Sequence, residues 1–356
     1  STPTCGSRAS MSKESRLTSI MLEEAREAPA RIADLLAADA DLVRDLAARL
    51  RADRPRFAVT IARGSSDHAA TYAAYLLGSR LGVVTASLPP SLETLGHSDL
   101  DLKGSLAIAV SQSGRSPDLV TPVRRARERG ALTVAVLNST DSPAAQAAEI
   151  VLDQHAGRER AVAATKSYIA SLVVAARLVA EWAEDVELKA ALQRLPEALE
   201  TAVRSDWSPA IEALAKADRM MVAGRGLNLA IAQESALKFK ETCILQAEAM
   251  SAAEIMHGPK ALVEAGYPVL AYAPNDGGRE SVLKMAAEFR GLGANVLLAG
   301  APGVKGATLP LPPPLHPALD PVLAIGAFYP FVAALSEARG LSPDAPRNLS
   351  KVTETV

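Results

Sequence analysis

The 356-residue sequence has few cysteines, few aromatic residues and almost no excess of either charge. Two cysteines, Cys5 and Cys243, make a disulfide framework unexpected, and a reducing cytoplasm is the compartment that suits them. Aromatic residues amount to only 4 %, so alanine, leucine and valine must form most of the core, which favours helices over an all-β sandwich. A formal net charge of −2 without a long basic run argues against nucleic acid and anionic membranes as partners.

Long hydrophobic runs are also missing from the sequence. No uncharged apolar stretch reaches the length of about 18 residues that a membrane-spanning helix needs. Residues 1–16 lack the apolar segment of a signal peptide. We therefore expect no membrane partner, and we expect residues 1–20 to be disordered. The remaining length, with 49 % hydrophobic residues in the whole sequence, suffices for two globular domains.

Strand-like and helix-like segments alternate along the chain, and the pattern occurs twice. Three segments of the first copy are RFAVTIARG (56–64), LAIAVSQSGRSPD (106–118) and GALTVAVLN (130–138). Similar segments recur in the same order and at nearly constant spacing, as DRMMVAGRG (218–226), YPVLAYAPNDGGRES (267–281) and GANVLLAGA (293–301). The alternation predicts an α/β protein in which helices cover both faces of parallel sheets.

The repeat also predicts how the chain is divided. We assign residues 21–204 to a first α/β domain with N-terminal helices and residues 205–340 to a second domain. Helical segments around 165–216 join the two halves, and residues 341–356 form a C-terminal tail. The proline-rich segment 309–317 is expected to be a rigid connector or sheet edge, because proline disfavours a helix there.

Small hydrogen-bonding side chains crowd the end of the second strand of the first copy: Ser111, Gln112, Ser113 and Ser116, with Gly114 among them. Ligands of open parallel sheets bind at such strand ends, and the start of the next helix attracts anions. The segment is therefore either a neutral, hydroxyl-lined phosphate site or a solvated turn in which Ser116 is an ordinary helix cap. No nucleotide-hydrolase loop occurs, and GRGLNLA (224–230) is a poor dinucleotide motif, so a sugar phosphate suits the site best.

Several charged side chains are candidates for chemistry. Glu234, Lys238 and Glu241 share one face of a predicted helix. They form either a solvated row of salt bridges or a site in which Glu241 is the acid–base that moves a proton between sugar carbons C1 and C2. An imidazole can both give and take protons in opening a sugar ring, which makes His257 a candidate, although lone histidines are more often structural. Lys351, near the C-terminus, would ordinarily be solvated. Histidine and cysteine never fall at ligand spacings, so we predict no metal site and no cofactor.

These motifs together resemble the sugar isomerase (SIS) domain family. SQSGRSPD (111–118) and ARGSSDHAA (62–70) are similar to SIS sequences in general. GRGLNLAIAQESALKFKE (224–241), HGPKAL (257–262) and PRNLSK (346–351) resemble the isomerase half of glucosamine-6-phosphate synthases. The similarity extends from about Met21 to the C-terminus in the order of that family. It implies two tandem flavodoxin-like SIS subdomains, each a parallel sheet flanked by helices.

The resemblance also implies roles for individual residues. The substrate phosphate would be bound by Ser66, Ser111, Gln112, Ser113 and Ser116, and the sugar by Val162, Ala164 and Ser350. Glu241 would shuttle the proton beside the active-site lysine Lys238, and Lys351 would meet the ketose carbonyl. His257 would reach the site of the neighbouring subunit, so the resemblance implies a homodimer. Ala164 stands where a serine is common in the family, which removes one hydroxyl contact.

The synthases begin with a glutaminase domain that has no counterpart in these 356 residues. We therefore expect the site to use water or free ammonia, and the expected reaction is glucosamine 6-phosphate plus water to fructose 6-phosphate plus ammonia. Alternatives are deamination of another amino-sugar phosphate, cleavage of a fructosamine-type adduct, and synthesis with ammonia from a separate glutaminase chain, a partner that we regard as less expected. A non-catalytic sugar-phosphate sensor is a further alternative, but residues 17–50 are acidic and alanine-rich, unlike a DNA-binding module.

Overall fold

Residues 18–96 and 98–351 are described by the computed structural model. The predicted disorder of residues 1–20 therefore falls mostly outside the described residues, as does Cys5. Within that range, Ser19 caps helix α1 (Ile20–Ala37), because its Oγ accepts a hydrogen bond from the backbone of Leu22. Helix α2 (Ala40–Ala52) follows, and its apolar side is buried.

The first sheet contains five parallel strands in the order β2-β1-β3-β4-β5. Its strands are β1 (Ala58–Ile61), β2 (Thr85–Ser87), β3 (Leu106–Ser111), β4 (Leu132–Leu137) and β5 (Ile150–Asp153). The intervening helices are α3 (Ser65–Leu81), α4 (Ser91–Thr94), α5 (Pro117–Glu128) and α6 (Pro143–Ala147). This strand order is that of flavodoxin-like sheets, in which the order of the strands reverses between β1 and β3 and leaves a crevice at their carboxyl ends.

Three helices connect the halves where the sequence predicted helical segments. They are α7 (Lys166–Trp182), α8 (Val186–Ala202) and α9 (Pro209–Leu214). The predicted division between residues 204 and 205 lies in the link between α8 and α9. Helix α7 is buried along most of its length, because α1, α2 and α3 all pack against it.

The second sheet repeats the topology of the first. Its strands are β6 (Arg219–Gly224), β7 (Gln246–Ser251), β8 (Pro268–Tyr272), β9 (Asn295–Gly300) and β10 (Leu309–Pro310), all parallel, in the order β10-β9-β8-β6-β7. Its helices are α10 (Asn228–Cys243), α11 (Ala252–Met256), α12 (Arg279–Gly291) and α13 (Asp320–Ala338), with a 3-10 turn at Pro259–Leu262. Counted from β6, the order is again 2-1-3-4-5, so the predicted duplication is confirmed. The first two residues of the proline-rich segment, Leu309 and Pro310, form the edge strand, where proline is tolerated.

Helix α13 is the central apolar element of the second half. It is long and apolar enough to cross a membrane by composition, but 78 % of its most apolar window is buried inside the protein, as in a core helix. Its Phe328 and Tyr329 belong to the same hydrophobic cluster as Tyr72 of α3 and Leu172 of α7. One core is therefore shared by the two sheets and the connecting helices, which fixes the position of α3 against α10.

Candidate active site

A cavity of about 570 Å³ opens at the carboxyl ends of β1 and β3. It lies where the flavodoxin-like strand order predicts a ligand site. Nine of the residues that the sequence analysis singled out line it: Ser66, Ser111, Gln112, Ser113, Ser116, Val162, Glu241, Ser350 and Lys351. The fold therefore brings together residues from both halves and from the C-terminal tail.

The hydroxyl-rich loop after β3 is shaped by Gly114. Its φ of +64° is left-handed, and a Cβ atom there would lie 2.2 Å from the Ser142 hydroxyl. Ser111 Oγ accepts a hydrogen bond of 3.0 Å from the Gly114 backbone, which closes the turn. Ser116 is the N-cap residue of α5, yet within the described residues its side chain makes no capping hydrogen bond. Its hydroxyl lines the cavity instead, so an ordinary capping role does not account for this serine.

The start of α3 forms a second wall of the cavity. Gly64 adopts a φ of +56° and turns the chain from β1 into the helix, which places Ser65 and Ser66 in its first turn. Arg63 also lines the cavity, with its guanidinium 3.3 Å from the carboxylate of Asp118. Arg63 and Asp118 thus add an ion pair without net charge to the hydroxyl-lined wall, which the sequence motifs did not predict. The position of Arg63, just beyond a strand end, is the sequence signal that identifies it.

Glu241 reaches the cavity from α10 and is held by Lys238. The Lys238 ammonium lies 2.5 Å from Glu241 Oε2 and 3.4 Å from Glu234 Oε1. The exposed fractions of the three side chains are 0 % for Glu234, 1 % for Lys238 and 22 % for Glu241. A solvated salt-bridge stripe is therefore excluded. Lys238 stands behind Glu241 and is not among the residues lining the cavity.

Burial and pairing act in opposite directions on this cluster. Burial would raise the pKa of Glu234, but the Lys238 ammonium and hydrogen bonds from His68 and Ser65 outweigh it and hold the pKa below its ordinary value. Burial would lower the pKa of Lys238, but the two carboxylates outweigh it and raise the pKa. Lys238 therefore stays protonated at neutral pH and can position Glu241, but it cannot act as a base.

Lys351 enters the cavity from the C-terminal tail. Its Nζ donates a hydrogen bond of 2.6 Å to the Ala161 carbonyl and lies 3.5 Å from Glu159 Oε2. The Glu159 side chain has no exposed surface and accepts hydrogen bonds from the backbones of Thr165 and Ser167. Glu159 thus fixes the segment between β5 and α7 and provides a counter-charge for Lys351. Sequence reasoning missed it, since nothing in the pattern of RERAVAATKS (158–167) distinguishes it from a surface glutamate.

Three predicted residues do not line this cavity. Lys238 lies behind Glu241, and Ala164 is in the Val162 segment without lining the cavity itself. His257 follows α11 and is exposed, so a single chain does not bring it into the cavity. Among residues 18–96 and 98–351, no group of three or more histidine, cysteine, aspartate and glutamate side chains is arranged to hold a metal ion.

The SIS domain sequence pattern matches residues 54–180 and 213–299 of the chain, which correspond to the two sheets. The chain belongs to the SIS domain family. Over 93 % of its length, this SIS protein is 35 % identical to glutamine–fructose-6-phosphate aminotransferase [isomerizing] of Symbiobacterium thermophilum. The enzyme of that name from Thermococcus kodakarensis is 31 % identical over 96 %. The SIS protein spans 58 % and 59 % of the lengths of these curated relatives, and the matched part is their isomerase half.

Solved structures agree with this assignment. A chain from Silicibacter pomeroyi, provisionally described as a phosphosugar isomerase, has 41 % identity and a TM-score of 0.88. The match covers 92 % of the SIS protein and 100 % of that chain. The C-terminal domain of glucosamine-fructose-6-phosphate aminotransferase from Francisella tularensis has 24 % identity and a TM-score of 0.84, covering 94 % and 100 % of the two chains. At 24 % identity, the likeness to the Francisella tularensis domain shows the fold alone.

Proposed function

We propose that this protein is a sugar-phosphate isomerase and deaminase that converts glucosamine 6-phosphate and water to fructose 6-phosphate and ammonia. The observation that carries the proposal is that one cavity is lined by the hydroxyl loop after β3, by the carboxylate of Glu241 and by the amine of Lys351. The conversion needs a phosphate-binding loop and an acid–base, and the Lys351 amine would meet the ketose carbonyl.

The phosphate would bind at the hydroxyl loop and the start of α3. Ser111, Ser113 and Ser116 offer hydroxyl donors, Gln112 offers an amide, and Ser66 adds a hydroxyl from the other wall. The N-termini of α3 and α5 both point backbone N–H groups towards this region. Val162 and Ser350 line the same cavity and would contact the sugar.

Glu241 would move one proton between neighbouring carbons. In the open-chain amino aldose it would take the proton from C2, which gives an enolamine, and return it to C1, while O1 gains one proton and the nitrogen gives up one. The product is the C2 imine of the ketose. Water then adds at C2 and ammonia leaves, so no oxidant or reductant is needed. The Lys238 ammonium would hold the Glu241 carboxylate in place throughout.

His257 would open the sugar ring from the partner subunit of a homodimer. A proton would pass from O1 to the imidazole and another to O5 as the C1–O5 bond breaks. The exposure of His257 and its separation from the cavity of its own chain support this division of labour. A single subunit would then be inactive without its partner.

The direction of the reaction is the second part of the proposal. The 356 residues match the isomerase half of the relatives, and the proposed reaction exchanges ammonia and water at C2 of the sugar. A Thermotoga maritima protein with the same fold is named a glucosamine-6-phosphate deaminase, at 23 % identity. The names of the curated relatives favour the opposite direction as the second candidate, which is synthesis of the amino sugar.

A coupled assay tests the reaction. The purified protein should release ammonia from glucosamine 6-phosphate and form an equal amount of fructose 6-phosphate. Glu241→Gln should abolish turnover, because the amide cannot accept the C2 proton, yet it should still bind fructose 6-phosphate in a calorimeter. If the folded wild type releases no ammonia but makes glucosamine 6-phosphate from fructose 6-phosphate and ammonium, synthesis is the correct assignment.

Mixing two inactive variants tests the shared site. Co-refolded Glu241→Gln and His257→Ala subunits should regain about a quarter of wild-type activity, because half the dimers are mixed and each holds one intact site. Each variant alone serves as the control. Activity of His257→Ala alone at the wild-type level would show that His257 has no part in ring opening.

A further inference from the structure

His68 is a polar residue of α3 that the proposed mechanism does not use. It lies two residues beyond Ser66, and its side chain is 19 % exposed. Its Nδ1 is 3.0 Å from Glu234 Oε2, so the contact crosses from the first half of the chain to the second.

Glu234 is enclosed by donors on every side. Oε1 accepts hydrogen bonds of 3.1 Å from the hydroxyls of Ser65 and Tyr329, and the Lys238 ammonium lies 3.4 Å away. Within the described residues, His68 is the hydrogen-bond partner of Oε2. An ionised carboxylate only accepts, so His68 must carry a proton on Nδ1, which it can do whether the ring is neutral or charged.

Glu234 and Glu241 compete for one cation. Lys238 is the ammonium between them, and it also donates a hydrogen bond of 3.1 Å to Ser65. Two carboxylates and one ammonium leave one negative charge in a site that is closed to water on the Glu234 side. The donors to Glu234 satisfy that charge, which leaves the short contact of Lys238 available to Glu241.

We infer that His68 is a positioning residue for the proton transfer, acting through Glu234 and Lys238 to hold the Glu241 carboxylate at the substrate. The inference rests on the proposed role of Glu241. Without the His68 donor, the buried Oε2 atom loses its hydrogen bond, and Lys238 is drawn towards Glu234 and away from Glu241. Ser66 and His68 lie on the same helix, so α3 would both bind the phosphate of the substrate and position the acid–base that acts on its carbons.

Deuterium exchange tests this inference separately from deamination. Incorporation of deuterium at C1 of fructose 6-phosphate in D₂O, followed by NMR, needs Glu241 but no ammonia chemistry. His68→Ala should lower the rate constant of exchange about tenfold to a hundredfold, as expected for a displaced acid–base, with KM nearly unchanged. His68→Asn should restore most of the rate, because its Nδ2 lies as many bonds from the backbone as Nδ1.

Two further variants keep the result specific. His155→Asn is the matched control, since this partly exposed histidine pairs with Asp39 away from the cavity, and its left-handed backbone suits asparagine. The double variant His68→Ala/Glu234→Gln should be no slower than Glu234→Gln alone if His68 acts through Glu234.

Each outcome bears on a definite claim. A wild type that exchanges deuterium but releases no ammonia overturns the proposed deamination, and the His68 variants still decide the inference. Equal losses in His68→Ala and His68→Asn, or a wild-type rate in a folded His68→Ala, would overturn the positioning role. A wild type without any exchange removes the proposed role of Glu241 and this inference with it.

Discussion

Lys238 is a buried cation that is paired with two carboxylates of its own helix, one in the preceding turn and one in the following turn. Its ammonium contacts Glu234 and Glu241, and 1 % of its side chain is exposed. Charges buried in this way stabilise a protein only as a matched set, because each one alone has lost its hydration. The cluster therefore links the stability of the protein to the geometry of its acid–base.

Lys238→Met should destabilise the protein by about 3–5 kcal/mol, because it leaves Glu234 buried without a cation. Urea denaturation at pH 7 measures this. Lys189→Met is the matched control, since its half-exposed pair with Glu181 should contribute less than about 1 kcal/mol. A similar small loss in both variants would contradict the role assigned to the buried pair.

The pH dependence of this difference follows from the two pKa shifts. The pKa of Glu234 is lowered by folding, so its contribution is present above its unfolded pKa of about 4.3 and is lost as the pH falls through the folded value. The pKa of Lys238 is raised, so its contribution is present below about 10.4 and is lost only as the pH rises through the folded value. The advantage of the wild type over Lys238→Met should therefore shrink in acid.

At the scale of elements, the two ends of the described chain hold each other. The carboxylate of Asp344 accepts hydrogen bonds of 2.9 and 2.8 Å from the backbones of Ile20 and Met21, the first residues of α1. These are orphan donors at a helix N-terminus, where a negative charge is favourable. Lys351 follows seven residues later, so this contact anchors the tail that lines the cavity.

Asp344→Ala should destabilise the protein by about 1–2 kcal/mol and also lower activity, because the tail that carries Lys351 loses its anchor. Urea denaturation, ammonia release and the rate of tryptic cleavage after Arg347 measure these effects. Ser19→Ala is the control, since it removes the other cap of α1 without touching the tail. Equal activity losses in both variants would show that the helix, and not the tail anchor, matters.

For the whole molecule, the shared core determines how the protein unfolds. Trp182 ends α7, and Trp207 lies between α8 and α9, where its ring is 5.7 Å from Phe331 and 6.4 Å from Tyr272. Both tryptophans belong to one hydrophobic cluster that includes residues of both sheets. Each half also has a smaller cluster of its own, on the other face of its sheet, but the cluster that holds both tryptophans extends through both halves.

We expect the two halves to unfold in one transition. Single-tryptophan variants, Trp182→Phe and Trp207→Phe, report on different parts of the chain, and each one's fluorescence should follow the same urea dependence as its far-UV circular dichroism. Measurements at several protein concentrations separate dimer dissociation from unfolding. Two separated transitions in either variant would indicate halves that are stable independently.

Much of the fold and part of the site could be predicted from the sequence, because their signals are local. Strand periodicity, the repeated segments and the proline-rich edge predicted two parallel sheets of matching topology. Small polar residues at a strand end predicted the cavity wall, and Ser111, Ser116 and Glu241 do meet there. The roles of these residues in binding and catalysis stay predictions.

The sequence by itself therefore determined the repeat and the identity of the groups at the strand ends, since each depends on neighbouring residues. Only the tertiary structure decided which charges meet: His68 with Glu234 across 166 residues, and Asp344 with Ile20 across 324. Such pairs leave no periodic trace in the chain. They form because a buried carboxylate must find donors wherever packing of the shared core brings them, and that packing is a property of the whole fold.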